Sequence, residues 1–135
     1  MIKFIIIKIL IILFFANTLH AKTEFIKKGI DLFNKNKFEE AKLKFEQDIV
    51  FNPRSEVSYL YLSKIFNKQD KRNLEEQNLN TVIILNPQNE EAIYYLAKLK
   101  LKSSDYNESK KLNTRLRNVC KNFCDRSNKL KIEIE

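Results

Sequence analysis

FEQDIVFNP at residues 45–53 and LNTVIILNP at residues 79–87 each end on an Asn-Pro pair, and Pro53 and Pro87 are the only prolines of the chain. The step from one to the other sets a period. A proline holds the residue before it away from the helical region, yet fits well in a first helical turn. Each pair therefore ends one helix and begins the next.

Working backward from Pro53, Phe25, Gly29, Leu32 and Phe33 recur at helical spacing, and Asn34-Lys35-Asn36-Lys37 makes a polar break. Phe38, Ala41, Phe45, Ile49 and Val50 then mark a second amphipathic helix. The shift that takes Pro53 to Pro87 also carries Gly29 to Ser63 and Ala97, all small. It carries Phe25 to Tyr59 and Ile93, all bulky. Small residues at one recurring site make physical sense where two helices of a hairpin approach closely. The match is imperfect, since the same shift carries Lys28 to Leu62 and Leu96, and Phe38 to Arg72 and Tyr106.

A helix-turn-helix period of about 34 residues, filled in this way, resembles the tetratricopeptide repeat family. The resemblance rests on Phe25, Gly29, Leu32, Phe38, Ala41, Phe45 and Pro53 in a first unit, and on Tyr59, Leu62, Ser63, Phe66, Leu79, Val82 and Pro87 in a second. Leu96, Ala97, Tyr106 and Ser109 carry it into a third. It implies an all-α fold, a right-handed α-α superhelix or solenoid of helix hairpins, with repeats at 22–55, 56–89 and 90–121. Two departures stand out: Glu75 occupies the place of the small Ala41, and Lys121 replaces the closing proline. An open stack needs a terminal cap. Residues 122–135 are that capping segment, with a helix expected over about 123–132 and a strand-like alternation at the end that frays.

Residues 1–21 read as a signal peptide: Lys3 gives a positive start, Ile9 to Phe15 are unbroken apolar residues, and cleavage is expected after Ala21. The alternative is an uncleaved membrane anchor, but Lys8 interrupts the run and Phe4 to Ala16 falls short of the roughly 20 residues of a spanning helix. Export to a periplasm or cell envelope follows, with no stable membrane span after cleavage. Loss of Lys3 and Lys8 from the 25 basic residues leaves 23 against 17 acidic ones, a net charge of +6. That balance raises a nucleic-acid-binding alternative, which export disfavours.

Catalytic equipment is sparse. The only histidine, His20, leaves with the signal, and the sole Gly29 excludes a glycine-rich phosphate loop. Two thiols without histidine make no four-ligand zinc site, so no metal, cofactor or catalytic residue is expected. Glu39-Glu40, Glu75-Glu76 and Glu90-Glu91 read as solvated helix faces. Cys120 and Cys124 leave three readings open: a disulfide staple, a redox-active pair, or two buried thiols. An oxidising compartment favours the staple across a turn at Asn122.

The resemblance also implies a concave groove for a protein or peptide, lined by the first helix of each pair. Residue by residue it selects Ile26, Ile30, Phe33 and Asn34, then Leu60, Lys64, Asn67 and Lys68, then Tyr94, Lys98, Leu101 and Lys102. Lys64 and Lys68 recur one period on as Lys98 and Lys102, a ladder suited to an acidic segment. The family variant that clamps chaperone C-termini has Lys and Asn where this chain has Ile26 and Ile30, so that ligand is not expected.

Overall fold

The computed structural model describes residues 24–135, so the expected signal segment lies outside the described residues. Seven helices follow one another: α1 (24–34), α2 (Phe38–Phe51), α3 (Glu56–Lys68), α4 (Arg72–Leu85), α5 (Glu90–Lys102), α6 (Tyr106–Val119) and α7 (Cys124–Ile134). No strand occurs among the described residues. The described residues divide into two compact units that part between Ser58 and Tyr59.

Two kinds of turn alternate, each with its own chemistry. Within a hairpin the chain reverses through a left-handed residue: Asn36 (φ 59°), Asp70 (φ 52°) and Ser104 (φ 60°), successive positions of the same period. Left-handed backbone is costly for most side chains, and Asn and Asp tolerate it best after glycine. The turn repays this by feeding free helix-end carbonyls, with Lys37 N–H on Leu32 O, Lys71 N–H on Phe66 O and Asp105 N–H on Lys100 O, each at 2.9 Å. Between hairpins the residue before proline is drawn out of the helix: Asn52 has φ −138° and ψ 77°, Asn86 φ −138° and ψ 92°. At the third junction Cys120 takes that place with φ −67° and ψ 142°, and no proline follows.

In the first unit, α1 and α2 pack around Gly29. A Cβ there would lie 2.7 Å from Cε1 of Phe45, which is fully buried, so only glycine admits this approach. Phe25 stacks on Phe51 with centroids 5.8 Å apart, and Phe33 meets Phe38 edge-on at 5.5 Å. Asp48 is buried as well. Its Oδ2 accepts from Ser58 Oγ at 2.5 Å, and Ser55 Oγ donates to Ser58 Oγ at 3.1 Å.

The second unit has one core, built from Leu79 and Val82 of α4, Ala92, Ile93, Leu96, Ala97 and Leu99 of α5, Leu112 and Leu116 of α6, and Leu130 of α7. Ala97 is fully buried, and its carbonyl accepts from Ser109 Oγ of α6 at 2.9 Å. The last helix docks by a reciprocal pair: Asn113 Nδ2 donates to Ser127 O at 3.0 Å, and Ser127 Oγ donates to Asn113 Oδ1 at 2.7 Å. Helix α7 runs to Ile134, beyond the expected 132, so the closing Lys-Ile-Glu-Ile-Glu is helical through Ile134 rather than frayed. Only Ile134 of its two isoleucines is partly buried; Ile132 is 75% exposed. Lys131 stands in α7 where Gly29, Ser63 and Ala97 stand earlier.

Gly29→Ala is expected to destabilise the protein although alanine is the better helix former. Overpacking costs about 1–3 kcal/mol, against about 1 kcal/mol gained in propensity. A thermal melt reads the difference, and a variant as stable as the parent would contradict the tight Gly29–Phe45 contact.

Candidate functional site

The residues selected for the groove do not stand equally free. In the first unit Ile26, Ile30 and Phe33 of α1 are half-buried and Asn34 is exposed. In the second unit Leu60 and Leu101 pack against the core. Asn67, Tyr94, Lys98 and Lys102 come together around a cavity of about 270 Å³, which Glu75, Tyr95, Leu99 and Arg126 complete.

The four lysines expected in register differ in their ion pairing. Lys64 Nζ lies 2.8 Å from Glu91 Oε1 and 4.7 Å from the centroid of the Tyr61 ring. Lys98 Nζ lies 3.6 Å from Glu133 Oε2 of α7. Two of the four ammonium groups are thus neutralised within the chain, and Lys68 and Lys102 remain exposed. The period places lysines in register but does not place the acids of neighbouring helices that pair with them.

Several side chains of the site escaped the sequence reading. Arg126 of α7 sits with its guanidinium carbon 4.5 Å from the centroid of Phe123 and 5.7 Å from that of Tyr94. Tyr94 packs on Tyr95 and Phe123, with centroids 5.4 and 5.6 Å away. Glu75 is only 3% exposed, not on a solvated face, and its Oε1 accepts from Asn67 Nδ2 at 2.9 Å. Burial pushes its carboxyl above the usual carboxylate range, and the Asn67 hydrogen bond with the charges of Lys102 and Arg72 pulls part of the way back. The one signal in the sequence was its occupation of the site that Ala41 holds one repeat earlier.

Glu90 and Glu76 are likewise engaged. Glu76 Oε1 receives Lys100 Nζ at 2.6 Å. Glu90 Oε2 accepts the backbone N–H groups of Lys121, Asn122 and Phe123 at 2.7, 2.9 and 2.9 Å. Those donors belong to the loop closed by the Cys120–Cys124 disulfide, whose Cα atoms are 5.3 Å apart. A loop this short contributes about 2 kcal/mol by chain entropy. Asn122 therefore does not cap α7 with its side chain. The N-cap is Phe123, which forms no side-chain cap bond, and Glu90 of α5 supplies the acceptor from across the unit.

Among the described residues no group of acids, cysteines and histidines could hold a metal ion, and no helix is long and apolar enough to cross a membrane. No protein-family model and no curated protein matches the sequence. Solved structures do match. The first tetratricopeptide repeat domain of Spaghetti (RPAP3), bound to the HSP90 peptide SRMEEVD, is similar with a TM-score of 0.75 and 18% identity over 84% of this chain and 90% of that one. The Yersinia enterocolitica type III secretion chaperone SycD, in complex with a peptide of the translocator YopD, gives 0.75 and 12% over 83% and 88%. The TPR2B domain of yeast Sti1, in a complex with pHsp70, gives 0.79 and 14% over 85% and 96%. The fold is that of tetratricopeptide repeat domains.

Within that fold the Glu90 contact carries a pH dependence. Desolvation raises the Glu90 carboxyl, but the three backbone donors together outweigh it and hold it below the usual carboxylate range. A depressed carboxylate contributes stability that is fully present above its unfolded pKa and is lost as pH falls through the folded one. Glu90→Gln is accordingly expected to lower stability by about 1 kcal/mol at pH 7. In urea titrations the gap between parent and variant should close below the carboxylate range, and a gap independent of pH would refute the assignment.

Proposed function

We propose that the chain is a non-enzymatic scaffold that holds a peptide segment of another protein on the groove face of its tetratricopeptide fold. The observation that carries this reading is the aromatic and basic cavity formed by Asn67, Tyr94, Tyr95, Lys98, Lys102 and Arg126. It lies on first-position helices of a fold whose similar structures include two solved with peptides. Half-buried Ile26, Ile30 and Phe33 give α1 an apolar face of its own, suited to hydrophobic side chains.

The test is affinity capture with the parent chain as bait, repeated with groove variants. Leu101→Asp and Lys102→Glu are expected to reduce recovery of the captured protein, and Lys110→Glu on α6 to leave it unchanged. Equal recovery by all three variants would remove the groove from the account.

The compartment belongs to the same proposal. The apolar run at Ile9–Phe15 behind Lys3 supports export to a periplasm or envelope, and the Cys120–Cys124 bridge suits an oxidising compartment. Intact-mass measurement after bacterial expression should find a chain beginning at or near Lys22. Recovery of only the uncleaved chain in the membrane fraction would favour an anchor instead.

A further inference from the structure

Resting on the groove reading, we infer that the cavity beneath α7 is an anion subsite that takes a side-chain carboxylate of the bound peptide, held between Lys102 and Arg126. Of the cations that line it, Lys98 is engaged with Glu133, whereas Lys102 and Arg126 have no carboxylate within ion-pair distance among the described residues. Arg126 lies over the rings of Phe123 and Tyr94, with its guanidinium carbon 4.5 and 5.7 Å from their centroids, and a guanidinium beside aromatic rings still has N–H donors suited to a planar acceptor. Tyr94 and Tyr95 give the wall an aromatic surface for the aliphatic stem of a glutamate.

Glu75 sets the charge of this subsite. It is buried, lines the cavity, and takes its hydrogen bond from Asn67. The charged or titratable groups around it are Lys102, Arg72 and Asp70, with Lys98, Arg126, Tyr94 and Tyr95 on the rest of the cavity wall. An ionised Glu75 competes with the ligand for Lys102. A neutral side chain of the same shape leaves that ammonium to the ligand and keeps an acceptor for Asn67. Burial already favours the neutral acid, so acidic ligands bind more tightly as pH falls toward the range where Glu75 takes up its proton, until their own carboxylates protonate.

Another cavity of the unit, about 230 Å³ between α6 and α7, also carries cations at Lys110, Arg117 and Lys131. It lies off the first-position helix faces, and Lys131 is paired with Glu135 at 3.5 Å. It serves as the internal control.

Three pentapeptide probes test the subsite on the isotopically labelled protein by amide chemical-shift titration. They are AEYEA capped at both ends, its capped isostere AQYQA, and AQYQA with a free C-terminal carboxylate. Capped AEYEA should move the amides of Lys102, Tyr95 and Arg126 and bind at least about fivefold tighter than capped AQYQA. Lys102→Gln and Arg126→Gln should each erase most of that preference, Glu75→Gln should increase it at neutral pH, and Lys110→Gln should leave it unchanged. Unaltered shifts elsewhere in each variant show that it is folded. Equal affinity of the two capped probes for the α3 and α5 faces would overturn the subsite and leave the groove standing. A preference only for the free-acid probe would overturn the side-chain assignment. No shift on those faces with any probe would overturn the subsite and count against the groove itself.

Discussion

Close approach of two helices at one small residue is the constraint on which this structure depends. Gly29 admits the ring of Phe45 to a distance that no side chain would allow, and that contact sets α1 against α2. One and two periods further on, the same position is held by Ser63 and Ala97, both buried. Helices that pack this closely leave little room for long side chains between them. The cores are accordingly built of leucine, isoleucine, alanine and a few aromatics, with Ser109 and Ser127 closing hydrogen bonds where a hydroxyl fits.

The turns make that approach repeatable. Each hairpin reverses through one left-handed residue, and each junction passes through one residue outside the helical region. Where the junction proline is missing, the disulfide and the carboxylate of Glu90 do its work by different chemistry. Proline restricts the backbone locally, whereas the bridge closes the loop covalently and Glu90 gathers three N–H groups that no helix has yet taken up. The consequence reaches the cavity, because the same loop positions Phe123 against Tyr94 and brings Arg126 over both rings.

Buried acids show what such a scaffold tolerates. Asp48 and Glu75 each occupy an enclosed place, and each is held by a neutral donor, Ser58 Oγ or Asn67 Nδ2, rather than by a close cation. For Glu75, burial raises the carboxyl above its usual range, and the Asn67 hydrogen bond and the charges of Lys102 and Arg72 offset only part of that. Surface acids behave otherwise: Glu91, Glu76 and Glu133 neutralise lysines of neighbouring helices.

What the sequence determined by itself was everything governed by local spacing. The two Asn-Pro pairs, the small residues at 29, 63 and 97 and the helical recurrence of apolar residues were enough for the helix pairs and the tetratricopeptide fold, because backbone restriction and helical periodicity act within a few residues. It also placed Asn67, Tyr94, Lys98 and Lys102 on helix faces that meet around one cavity. Left-handed turns at Asn36, Asp70 and Ser104 were hidden, since no glycine marks them. Only the tertiary structure decided which charges remain free, because ion pairing joins residues far apart in sequence: Lys64 with Glu91, and Lys98 with Glu133. Arg126 and Glu75 reach the cavity wall for the same reason: neither is marked by a motif, and each is placed there by the packing of α3, α4, α5 and α7.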